Sequence, residues 1–169
     1  MEQKYTSAGT SISVVNKVYK QYNFRPNSVV FDYGGGKYDK NKDYMRETYN
    51  SKVLVYDPYN RSAEHNKAVS LDVNKIVHTS GLDYIVCSNV LNVIVEDTVL
   101  CKILNDIRQL ACEKTEVLIT IYAGDGTGVG KQTTKGYQRN QKTRNYIQLC
   151  KQFFSNVEMK KGIIICKIA

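Results

Sequence analysis

A metal centre has almost nothing to be built from here: the chain holds two histidines, His65 and His78, and its five cysteines form no C-x-x-C pair. Zinc-ligand spacing is therefore missing, and no metal is expected. Cys87, Cys101, Cys112, Cys150 and Cys166 are odd in number, widely separated and set in apolar-periodic segments, which reads as reduced core thiols. No apolar run approaches the roughly 20 residues that cross a bilayer, so no membrane span is expected. The opening MEQKYTSAGTS lacks the basic n-region and apolar h-region of a signal peptide, and a cytoplasmic protein is the expectation that follows. Internal repeats are missing as well. Residues 1–169 are expected to form one domain, long enough to bury a core without disulfides or a structural metal.

What is present alternates between helix and strand patterns. Thr10 and Ser11 are placed to cap a helix that carries Ile12, Val15, Tyr19 and Tyr22 on one face, giving an N-terminal helical segment over 1–27 that Pro26 closes. Strands are expected at 28–33, 52–57, 69–71, 83–88 and 116–122, with helices after each of the first four. Leu100, Ile103, Leu104, Ile107 and Leu110 give the clearest helical spacing. Thr143 is expected to cap a last helix, and VEMKKGIIICKI reads as a hairpin turning at Lys161-Gly162. Near-continuous Val/Ile/Leu strands separated by helices imply an α/β, Rossmann-like three-layer sandwich. Its sheet is expected to be mostly parallel and seven-stranded, with the C-terminal antiparallel hairpin at one edge.

In such a sheet the ligand lies beyond the carboxyl ends of the strands, where their order reverses. The loop after the first strand reads Asp32-Tyr33-Gly34-Gly35-Gly36-Lys37-Tyr38-Asp39. Glycines let backbone approach a ligand closely, and amides near the following helix start are expected to favour an anionic group. Asp57 stands 23 residues past Gly34, where a carboxylate accepting from ribose hydroxyls is expected. An adenosine-containing ligand follows. Asp39 falls at the last place of a G-x-G-x-x-G loop, against a pyrophosphate, and no G-K-[ST] follows the glycines to make a Walker A loop. The carboxylate of Asp32 instead suits a ligand with a positive amino group and a sulfonium.

These residues resemble a family. D-x-G-x-G at Asp32, Gly34 and Gly36, Asp57 after the second strand, Asp72 after the third and SNVLNVI after the fourth look like the class I S-adenosylmethionine-dependent methyltransferases. GGGKYD, YDPYNRSAEHN and GDGTGVGKQTTKGYQRNQKT resemble small methyltransferase-like proteins of bacteria and their phages. The resemblance implies S-adenosylmethionine as cofactor. Asp32, Tyr33 and Gly34 to Gly36 would cradle its methionine and ribose part, Asp57 and Pro58 the ribose side and Tyr59 the adenine face. Asp72 and Val73 would meet the adenine edge, and Ser88 and Asn89 the transferred methyl. Tyr38 stands where the family's third glycine belongs, to fold away or to cover the cofactor.

For an acceptor the sequence offers two signals. Asn89 and Asp125 are the candidate catalytic residues, Asp125 as base. Asn89 and Asn92 are of a type to orient a substrate amine, but the Asn/Asp-Pro-Pro-Tyr segment of amino-methyltransferases acting on DNA bases is missing after the fourth strand. The Gly-rich stretch 123–142 is basic, with Lys131, Lys135, Arg139 and Lys142 around Tyr137, a pattern that tracks phosphates and stacks bases. With a net charge of +8 this makes nucleic acid the favoured partner. A noncatalytic nucleic-acid-binding protein of the same fold, or methyl transfer to a protein or small molecule, stays open. His65, in a polar helix start, reads as a surface or capping group.

Overall fold

The structure, a computed structural model, describes residues 14–134 and 136–169. Thr10, Ser11 and Ile12, expected in the first helix, and the basic Lys135 lie outside the described residues. The described part of that helix is one short turn, α1 (Lys17–Gln21), whose Asn16 side chain accepts from the Val18 amide.

Four parallel strands form the centre: β1 (Val29–Tyr33), β2 (Lys52–Tyr56), β3 (Tyr84–Ser88) and β4 (Glu116–Thr120). A short antiparallel pair, β5 (Lys131–Thr133) and β6 (Gly136–Gln138), makes a separate ribbon. The terminal hairpin is β7 (Asn156–Lys160) and β8 (Ile163–Lys167), and β8 pairs antiparallel to β4. Positive φ at both Lys161 and Gly162 gives the tight two-residue turn expected there. The main sheet runs β2-β1-β3-β4-β8-β7. Among the described residues it has six strands, where seven were expected.

The strand expected at 69–71 is the reason. Ser62 caps α3 (Ala63–Val77) by accepting from the His65 amide, and no glycine or proline interrupts the chain before Gly81. Val69 and Val73, four residues apart, then bury on one helical face. So short a segment, with Ser70 at its middle, does not compete with that as a strand. Asp72, exposed, and Val73, in the core, therefore sit on a helix and not at a strand end.

Side chains alternate across the sheet with period two. Phe31, Leu54, Ile85, Cys87 and Ile119 face α3, α4 (Asp97–Leu110) and the short α5 (Ile147–Cys150). Val30, Val53, Val86 and Leu118 face α1 and α2 (Lys40–Tyr49), where Tyr19, Phe24 and Met45 pack. Among the cysteines, Cys87, Cys150 and Cys166 are buried free thiols, and Cys101 and Cys112 are half-buried and free. The expected last helix is a 3-10 turn, Thr143–Tyr146, leading into α5, and Thr143 lies inside the turn rather than capping it. Among the described residues no helix is long and apolar enough to cross a membrane, and no cluster of metal-ligating side chains occurs.

Candidate functional site

From β1 the chain runs to β2 on one side of the sheet and β3 lies on the other, so the strand order reverses at the carboxyl end of β1. A cleft of about 680 Å³ opens there, within the range that encloses small-molecule ligands, roughly 300–1,000 Å³. Asp32 and Tyr33 line it from β1, and Gly34, Gly35, Gly36 and Tyr38 from the loop. Asp57, Pro58 and Tyr59 enter from β2, and Ser88 and Asn89 from β3. Asp72 and Val73 do not line it.

The glycine loop is turned inward. Gly34 and Gly35 amides both donate to the Tyr56 carbonyl, at 2.8 and 3.1 Å, and the Gly36 amide donates to Asp57 Oδ2 at 2.9 Å. The three glycine amides are thus consumed by the protein. Gly34 has φ +75° and Gly36 φ +82°, which favour glycine. A Cβ on Gly35 would stand 2.7 Å from both Asp32 Cγ and Val55 Cγ1, so this glycine is required by close packing of the loop on β1 and β2.

Asp32 lies beneath that loop, 1 % exposed. Burial pushes its carboxyl up to about 6 from 3.8, against the lowering effect of neighbouring donors. Asn41 Nδ2 donates to Oδ2 at 3.3 Å, and Asn41 Oδ1 accepts from the Asn16 amide at 2.8 Å, which ties α1 to α2 across the site. The buried Tyr19 hydroxyl lies beside the same carboxyl without closing a hydrogen bond, and burial raises its pKa.

Asp57, 3 % exposed, is a structural acceptor as well as a cleft residue. Its Oδ1 takes the Tyr59 and Asn60 amides and Asn60 Nδ2, all at 3.0 to 3.1 Å. Three donors saturate Oδ1, and with Gly36 on Oδ2 that oxygen keeps room for one further donor. Two ribose hydroxyls on one carboxylate, as the sequence led us to expect, are more than this arrangement admits without rearrangement.

The acceptor-side expectations change most. Asp125 is exposed, accepts from the Thr127 amide and hydroxyl and pairs with Lys131 at 3.2 Å. Those bonds hold its carboxyl down at about 2, which makes it a poor base, and it does not line the cleft. Arg139 is buried along its stem, donating to the Ile94 and Val95 carbonyls and pairing with Asp97. Arg139 therefore fastens the 123–142 segment to the domain, and Lys131 pairs with Asp125 inside that segment. Of the substrate residues expected there, Tyr137 lines the cleft, whereas Lys131, Arg139 and Lys142 do not.

Other residues, Asn92 apart, escaped the sequence reading. Arg61 Nε donates to the Gly36 carbonyl at 2.7 Å and its other end pairs with Asp39 at 2.8 Å, clamping the loop. Asn66 exchanges two bonds with the Asp57 backbone, 2.9 and 3.1 Å. Asn92 and Gln138 line the cleft and bond to each other at 3.0 Å. No spacing rule links such partners. His65 is half-buried and its Nε2 donates to the Val55 carbonyl at 2.7 Å, a structural role.

No protein-family model matches the chain, and no curated protein matches it in sequence. Solved structures do resemble it. Human N-acetylserotonin methyltransferase, in complex with S-adenosylmethionine, aligns over 90% of this chain at TM-score 0.62 and 14% identity. The Burkholderia thailandensis 1,6-didemethyltoxoflavin-N1-methyltransferase, with its substrate and S-adenosylhomocysteine bound, aligns over 86% at TM-score 0.59 and 15% identity. Mitomycin 7-O-methyltransferase aligns over 90% at TM-score 0.55 and 14% identity. The chain spans about half the length of the first and third of these, 50% and 52%, and 72% of the second. The fold is thereby defined as that of the class I S-adenosylmethionine-dependent methyltransferases.

Proposed function

We propose that the chain binds S-adenosylmethionine in the cleft at the end of β1 and transfers its methyl group to an acceptor that enters beside Asn89. The observation that carries this reading is the Asp32 carboxyl buried under a loop whose three glycine amides bond back to the protein. A ligand there meets an acceptor and a latent negative charge, which suits the ammonium and sulfonium of this cofactor and not a pyrophosphate. Arg61, the neighbouring cation, is turned to Gly36 and Asp39 and leaves the carboxyl for the ligand. The fold likeness supports the same reading, since the solved neighbours hold S-adenosylmethionine or S-adenosylhomocysteine.

The residues divide the work as follows. Asp32 holds the cationic end, Asp57 Oδ2 accepts one ribose hydroxyl, and Tyr38 and Tyr59, both partly exposed at the rim, cover the ligand. When bound, the cofactor supplies a methyl group on a positive sulfur, open to in-line attack. The chain's part in such a displacement is chiefly to position the acceptor and exclude water. Ser88, bonded to Thr120 at 2.6 Å, and Asn89, held in a left-handed conformation with its amide on the Thr120 carbonyl, form the wall where the acceptor approaches. The test is methyl incorporation from labelled S-adenosylmethionine into the metabolite, protein and nucleic-acid fractions of an extract. Label in the metabolite fraction is expected. Label in none of them, with the protein folded, overturns the enzymatic reading.

A further inference from the structure

We infer that Asn92 Oδ1 recognises the methyl acceptor, and that the acceptor is an uncharged molecule presenting an N–H or O–H donor to it; the inference rests on the methyl-transfer reading above. Asn92 follows β3, lines the cleft and is 2 % exposed. Its amide orientation is fixed by a relay of one-way bonds. The Tyr122 backbone carbonyl can only accept, so Gln138 must turn Nε2 to it, at 2.8 Å. Gln138 Oε1 then faces Asn92 and must receive Nδ2, at 3.0 Å. The Arg139 amide holds the Asn92 carbonyl at 2.8 Å, so the backbone cannot drift. Oδ1 is left buried with no hydrogen-bond partner among the described residues.

A buried acceptor without a donor is rare and destabilising, and a group kept in that state at a cleft wall calls for a ligand that completes it. The surrounding wall says what kind. Val93, Ile94, Tyr122 and Tyr137 give it aliphatic and aromatic faces. Among the described residues, the cleft lining drawn from 88–94, 122 and 133–138 carries no charge, whereas the charged lining residues come from β1, the turn after β2, the glycine loop, α2 and α4. A phosphate would find no cation there. An aromatic or aliphatic body with one donor fits both the faces and Oδ1. An amide oxygen does not take a proton at neutral pH, so Asn92 orients the acceptor rather than deprotonating it. Discrimination follows from the same fact, because an analogue lacking the donor leaves Oδ1 unpaired.

Matched fragments test this directly: phenol against anisole, aniline against N,N-dimethylaniline, and indole against N-methylindole. Each is titrated by ligand-observed NMR into the full chain, with and without saturating S-adenosylhomocysteine. In at least one pair the donor compound should bind about five- to tenfold tighter to wild type, the ratio one good hydrogen bond gives. The preference should disappear in Asn92→Leu. If that variant fails to fold, Gln138→Leu, which frees the Asn92 amide to rotate, should weaken the preference instead. Wild type without a donor preference in any pair overturns the inference, as does a preference retained in folded Asn92→Leu. A donor preference without S-adenosylhomocysteine binding supports the Asn92 site and overturns the methyl-transfer reading. Binding of S-adenosylhomocysteine without donor preference does the reverse.

Discussion

Replacing Asp32 by asparagine should make the protein more stable near pH 7.5 and unable to hold its cofactor. The carboxyl is 1 % exposed and burial raises its pKa from 3.8 to about 6. Between those two values the folded state binds more protons than the unfolded one, so stability falls as pH rises through that window. Above about pH 6 the ionised carboxylate stays buried, and at about 1.4 kcal/mol per pH unit of displacement it destabilises the fold by on the order of 3 kcal/mol. An asparagine carries no charge to bury. Its oxygen can keep the Asn41 bond, and its new amide protons can reach the Tyr19 hydroxyl, which has no hydrogen-bond partner in the wild type. For a chain of this size the gain corresponds to on the order of 5–10 °C in Tm. Thermal unfolding of wild type and Asp32→Asn from pH 4 to pH 8 reads it out. The two curves should nearly coincide at pH 4 and separate above pH 6, with the variant higher. S-adenosylmethionine should then raise the wild-type Tm and leave the variant where it was. A variant less stable at pH 7.5, or a gap that does not change with pH, would refute the reasoning.

Gly35→Ala should lower stability by about 1–3 kcal/mol in chemical denaturation, because the added Cβ meets Asp32 and Val55 at 2.7 Å and both are fixed in strands. Asp57→Ala should cost stability as well as cofactor affinity, since it strips one acceptor from the Gly36, Tyr59 and Asn60 amides, at about 1 kcal/mol for each half-buried hydrogen bond lost. Unchanged Tm with lost binding would contradict that double role. Arg61→Gln should speed amide hydrogen exchange at Gly34 to Gly36 by loosening the clamp on the Gly36 carbonyl, and an unaltered exchange pattern would count against it. Arg139→Gln should lower Tm by a few degrees, while wild-type binding to DNA or RNA at low salt should stay weak; tight, salt-steep binding would restore the basic segment as a phosphate track.

The parallel strands and the terminal hairpin were legible because runs such as VVFDY, KVLVY and YIVCS are buried on both faces and so lose their polar alternation. The glycine loop and Asp57 were legible because backbone approach and carboxylate position depend on local spacing. Val69-Ser70-Leu71 was not, since two apolar residues around a serine fit a strand or one helical turn equally and the uninterrupted stretch after Ser62 decided for the helix. Charge in the 123–142 segment was visible, but its destination was not. Arg139 finds Asp97 some 42 residues away, a pairing that only the packed fold creates. Asp125 is different: Thr127, two residues on, already marked a side-chain turn that would engage the carboxylate. Asn92 was visible in the sequence as a group to orient a substrate amine, but its unpartnered Oδ1 was not, because that depends on Gln138, 46 residues away.

The central claim is that a buried carboxylate under an inward-turned glycine loop holds a cationic adenosine ligand. Isothermal titration of S-adenosylmethionine and S-adenosylhomocysteine into the chain at pH 7.5, with NAD as the comparison and Asp32→Asn alongside, tests it most directly. The account predicts saturable one-to-one binding of both sulfur ligands to wild type, none of NAD, and loss of S-adenosylmethionine binding in the variant. No heat from either sulfur ligand in a folded wild-type protein, or equal affinity in Asp32→Asn, would contradict it.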